Sequence, residues 1–138
     1  MRSSIGGLLL GVILLAVAGT GAAAASDPLT GSWVLDDPDG STSWTHISAP
    51  GPDGVRAVSL FDTYGTVCET AGPGTGSPVS GHGSAVENGT QVTLTITSIR
   101  CANGAAGAVT TPFTTTATLT SAGLDFGSGF VATRPGRG

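Results

Sequence analysis

The chain has 138 residues, nine acids, five arginines and no lysine, for a net charge of −4. An acidic chain with no basic stripe repels phosphate backbones, which excludes DNA and RNA as partners. So small a chain has room for one compact domain beside any targeting segment.

The N-terminus reads as an address. Met1-Arg2-Ser3-Ser4 gives a short positive start, and an apolar run follows from Ile5 to Ala18. Small residues then close it, ending in Ala22 to Ala25. That order is the pattern of a secretory signal peptide over residues 1–25, with cleavage expected near Ala24-Ala25-Ser26. The rival is a retained membrane anchor, since about 21 uncharged residues roughly reach across a bilayer. The strongly apolar stretch is only about 14 residues, and its Gly- and Ala-rich exit suits a peptidase better than lipid. The expected product is a secreted domain over residues 26–138, monomeric, with no membrane span after cleavage. Its nine acids face four arginines, Arg56, Arg100, Arg134 and Arg137. The lack of lysine beside so much Ala, Gly and Thr suggests a bacterial source.

Beyond Ser26 no stretch repeats apolar residues at helical spacing, while Thr and Val favour the pleated surface of a strand. Turn signals recur about every ten residues, among them Asp39-Gly40, Asp53-Gly54, Asn88-Gly89 and Asn103-Gly104. The expected strands cover 31–36, 41–47, 55–62, 66–70, 79–86, 90–101, 113–121 and 124–134, the last broken at Gly127-Ser128-Gly129. In the sixth, Val92, Leu94 and Ile96 share one face and Thr93, Thr95 and Thr97 the other. That alternation shifts at Ile99, where a bulge or a strand end is expected. The fold class is therefore all-β: an eight-stranded antiparallel meander barrel following an N-terminal signal helix.

Cys68 and Cys101 fall on the fourth and sixth of these strands. Two cysteines in an exported domain of this size are expected to pair, since no neighbouring base or Cys-x-x-Cys spacing marks a reactive thiol.

Asp36-Asp37-Pro38-Asp39-Gly40-Ser41 resembles the start of a calcium loop but lacks the later Glu, and it reads as a hairpin turn. His46, His82 and Glu69 have no metal-ligand spacing, and no metal or cofactor is expected. There is no Gly-x-Ser-x-Gly, and Gly81-His82-Gly83-Ser84 reads as strand, so no enzyme is expected. Asn88-Gly89-Thr90 matches a glycosylation sequon but equally a hairpin. Arg56 and Asp62 are the ligand-binding candidates, because Arg56, Val58, Leu60 and Asp62 share one strand face. Pointing inward they would line a polar pocket; the expectation is that both sit at the rims, in water.

Gly31-Ser32-Trp33, with Arg134 after Phe130-Val131-Ala132-Thr133, resembles the pattern of the calycin barrels, the superfamily of lipocalins, fatty-acid-binding proteins and avidins. In that group an arginine of the last strand packs across the first-strand tryptophan and seals one end of the barrel. The resemblance thus assigns structural roles to Trp33 and Arg134. No ligand residue carries over, since the helix that follows a lipocalin barrel and the aromatic cage of avidins are both missing. The chain also resembles small uncharacterised exported bacterial proteins that open on Gly-x-Trp.

Three functions remain in play. The first is a binding module holding a small hydrophobic or amphipathic ligand. The second is a barrel similar to the small inhibitors that bacteria export against their own metalloproteases. There Ser26-Asp27-Pro28-Leu29-Thr30 would serve as a mobile lead-in to an extracellular protein partner. The third is a structural or interaction domain of the envelope with no ligand.

Overall fold

The structure is a computed structural model that describes residues 27–105 and 112–136. Residues 1–26, on which the expected signal peptide falls, lie outside the described residues. Eight strands follow one another: β1 (Gly31–Asp36), β2 (Thr42–Ile47), β3 (Arg56–Gly65), β4 (Ser77–Asn88), β5 (Gln91–Cys101), β6 (Phe113–Leu119), β7 (Leu124–Asp125) and β8 (Val131–Ala132). Each pairs antiparallel with the next in a single sheet. Val34 and Thr133 exchange two backbone hydrogen bonds of 2.8 Å, which bring the end of the sheet back to its beginning. β6–β7 and β7–β8 hold two residue pairs each and β8 meets β1 through one bridge, so the ring is thin over this whole arc. The result is a nearly closed barrel, and the all-β meander expected from the sequence is the fold.

One of the eight expected strands is absent, and the last is broken at Gly127-Ser128-Gly129 as expected. Residues 66–70 form no strand: Thr66–Cys68 is a single 3-10 turn. The expected last strand is two short ones, because Gly127, Ser128 and Gly129 all take positive φ and fold the chain back on itself. One loss and one division leave the count at eight. The Asn88-Gly89 turn is displaced by one residue. Asn88 pairs with Gln91, so the loop is Gly89-Thr90, with Gly89 at φ +62° in the first central position.

The alternation on β5 holds, with Val92, Leu94 and Ile96 buried. The expected shift is a bulge: His82 pairs with Ser98 and Gly83 with Ile96, leaving Thr97 unmatched. The extra residue restores Ile99 and Cys101 to the inner side. Gly83 makes the bulge possible, since a Cβ there would stand 1.9 Å from the Thr95 carbonyl oxygen.

A meander barrel collects alternate turns at each end. One end, the floor, gathers the lead-in to β1 with the β2–β3, β4–β5 and β6–β7 turns. The other, the mouth, gathers the β1–β2, β3–β4, β5–β6 and β7–β8 connections. The densest packing lies toward the floor, where Leu29, Ile47, Val58, Val92 and Leu124 are fully buried. A smaller cluster of Cys68, Val79 and Cys101 supports the mouth. There the Cys68–Cys101 disulfide ties the 3-10 turn to the end of β5, with Cα atoms 5.6 Å apart.

Candidate functional site

The floor is built by two arginines. Gly31 takes φ +123°, and a Cβ at that position would lie 2.5 Å from Nη1 of Arg134. A glycine there lets the guanidinium pass over the strand and stack on Trp33, 3.9 Å from the ring centroid. Arg134 donates to the carbonyls of Pro28 (2.5 Å) and Ser32 (3.4 Å), while Trp33 Nε1 donates to Leu29 O at 3.0 Å. Trp33 is 3% exposed and stands as a plug across the barrel. These contacts also pin the lead-in. Leu29 is fully buried and Asp27 meets Arg56, so residues 27–30 are docked on the floor and not a free segment.

Arg56 departs from its expected place in water. It is 5% exposed, inside the barrel end, because it shares the inner face of β3 with Val58 and Leu60. Burial is sustained by charge pairing: Nη1 donates to Asp27 at 2.5 Å and Nη2 to Glu87 at 3.0 Å. Further Nη1 bonds reach Thr30 Oγ1 and Ser48 O. The hydrogen bond from Arg56 is the main cause that holds the Asp27 carboxyl well below the usual range, and it raises the guanidinium in return. Arg56 Nε is left without a partner. These contacts are inward and structural, and leave Arg56 no open face.

Asp62, three repeats of the pleat along the same strand face, lies at the other end. The two ligand-binding candidates are therefore not brought together. Asp62 lines a cavity of about 590 Å³ that opens at the mouth and has Trp33 as its base. Its wall follows the period-two inner faces of the strands: Leu35 from β1, Ser43 and Thr45 from β2, and Leu60, Asp62 and Tyr64 from β3. Val79, Ile99, Phe113 and Thr115 continue it around the ring, and Phe126 leans in from the β7–β8 turn. The surface is mostly apolar. Asp62 is half-buried, again not at a free rim. It accepts from the Ser43 hydroxyl and from Tyr64 N at 2.9 Å.

Two polar turns frame the opening. Asp37 and Asp39 lie on the cavity edge in the β1–β2 turn. Asp39 accepts from Ser41 N at 2.8 Å, and hydrogen bonds from Ser41 hold its carboxyl below the usual range. This is the hairpin-turn use of the carboxylates, not a calcium loop. Across the mouth, Glu69 accepts from Tyr64 Oη at 2.7 Å and from Gly74 N at 3.0 Å, which fixes the β3–β4 connection. The Glu69 hydrogen bond pushes the Tyr64 phenol up.

His46 and His82 sit on the outer face, beside Ser32 and Ser59 at 3.2 and 3.4 Å. Among the described residues no group of three or more His, Cys, Asp or Glu converges to hold a metal ion. Trp44 and Phe61 form an exposed cross-strand pair on the same outer face, with centroids 5.8 Å apart. Among the described residues no helix is long and apolar enough to cross a membrane.

Of the cavity residues, Leu60 shares the strand face expected for Asp62, and Leu35 and Tyr64 follow from the same alternation along β1 and β3. Phe113 and Phe126 carry no such signal, because one stands at a strand end and the other in a turn. Comparison with protein-family models, with curated proteins and with solved structures finds no match for this chain.

Proposed function

We propose that this protein is a binding module whose barrel mouth holds a small hydrophobic or amphipathic molecule. One observation carries the reading: an apolar cavity of about 590 Å³, open at one end and stopped at the other by Trp33 under Arg134. That volume lies within the range of pockets that enclose a small ligand. A barrel meant only as a scaffold would fill this space, as Leu29, Ile47, Val58, Val92 and Leu124 fill the interior toward the floor. The Gly31, Trp33 and Arg134 arrangement supports a calycin-like reading, and the disulfide suits a protein exported from the cell and acting outside it as a monomer. The inhibitor reading is the weaker one, because its lead-in is held by Leu29 and Asp27. A ligand-free envelope domain is what a negative binding test would favour.

The test uses N-phenyl-1-naphthylamine, a neutral apolar dye, titrated into the protein cut to residues 26–138. Saturable fluorescence is expected, with amide shifts on Leu35, Leu60 and Thr115. Thr115→Trp is expected to abolish binding while leaving the melting temperature unchanged. No saturable signal, or shifts confined to Trp44 and Phe61 outside the barrel, would end the proposal.

A further inference from the structure

The mouth and the floor treat charge in opposite ways. At the floor the half-buried carboxylates have a cation: Asp27 and Glu87 share Arg56, and these are the two ion pairs among the described residues. At the mouth three carboxylates, Asp37, Asp39 and Asp62, line the cavity, and among the described residues no Arg, Lys or His does. Asp62 is the telling one. It stands half-buried on a mostly apolar wall beside Ser43 and Tyr64, and both of its oxygens accept from neutral donors, the Ser43 hydroxyl and the Tyr64 amide. A carboxylate in such surroundings loses hydration without gaining a counterion.

The remainder of the wall complements a cation as well. Trp33, whose other side carries Arg134, and Tyr64, Phe113 and Phe126 line the cavity, and aromatic rings are the apolar groups that attract an organic ammonium. An anion would meet three carboxylates there and no compensating donor of positive charge. From the cavity, its rings and its uncompensated carboxylate together, we infer that the ligand is an amphipathic organic cation, an amine or quaternary ammonium on an apolar body, with its charge beside Asp62. This inference rests on the mouth being a binding site, and the two can fail separately.

Three ligands with one ring system separate them: 1-naphthylmethylamine, 1-naphthylmethanol and 1-naphthoate, titrated into residues 26–138 at 0.15 M salt by calorimetry. The amine is expected to bind about tenfold more tightly than the alcohol, with the naphthoate weakest. Asp62→Asn should bring amine and alcohol to within about twofold, and Asp62→Glu should keep the preference. Asp53→Asn makes the same charge change in the β2–β3 turn at the floor and should alter nothing. Equal or tighter binding of the alcohol or naphthoate would overturn the inference while leaving a binding mouth intact. A preference that Asp53→Asn weakens as much as Asp62→Asn would overturn it too, since net charge would then be its source. If none of the three binds, the cavity is not a site for such molecules and both readings fall. The comparison of the three ligands on the unaltered protein decides the matter even if a variant at Asp62 fails to fold.

Discussion

Arg56 shows how a charged side chain on an inward position becomes part of a core. Its neighbours on β3 place it inside, and Asp27 and Glu87 supply the countercharge that makes this tolerable. The pairing ties stability to pH in a definite direction. Asp27 binds its proton less readily in the folded protein than in the unfolded chain, because Arg56 hydrogen-bonds the ionised form. Its contribution is complete above the unfolded carboxylate value and drains away as pH falls through and below it. Asp27→Asn is expected to lose about 1–3 kcal/mol at neutral pH, since the guanidinium keeps a weaker acceptor. In urea unfolding the gap to the unaltered protein should narrow by about pH 3. A gap that stays constant with pH would assign the loss to packing and not to charge.

At the scale of strands and turns, β5 explains why the sequence was readable and where it stopped being so. A half-buried antiparallel strand writes its faces directly as alternation, so Val92 to Thr97 could be oriented without coordinates. The slip at Ile99 was visible for the same reason, and the bulge at Thr97 is its structural form. The 66–70 segment was misread because Thr and Val carry strand propensity that the disulfide and the 3-10 turn override. Arg56 was misplaced because its partners, 29 and 31 residues away in sequence, could not be anticipated from spacing. The same holds for the cavity, which depends on which ring of residues closes across the mouth. The bulge yields its own test. Gly83→Ala would drive a Cβ onto the Thr95 carbonyl, a backbone atom that cannot rotate away. The expected loss is about 1–3 kcal/mol by chemical denaturation, with the cavity at the mouth disturbed alongside. A neutral effect would mean that β4 and β5 can exchange this bulge for regular pairing.

The whole molecule is an uneven object: a floor packed around Trp33 and Arg56, and a hollow mouth held in shape by one covalent bond. The Cys68–Cys101 link spans 33 positions of sequence and anchors the connection that Tyr64 and Glu69 also hold. Replacing both cysteines by alanine should cost about 3–4 kcal/mol in the chain-entropy model. Amide hydrogen exchange should accelerate first around the 3-10 turn and the end of β5, with Leu29 and Trp33 opening last. Uniform acceleration instead would show that the barrel unfolds as one unit, with no softer end. The floor also sets an order in time. Arg134 caps the carbonyl of Pro28, a residue that leaves any ribosome or export pore 106 positions ahead of it. Asp27 can meet Arg56 only 29 positions on, so the lead-in gains part of its anchorage early and this last cap late. A chain that emerges N-terminus first can therefore zip strand by strand through β6, yet its floor is latched only when the final residues arrive.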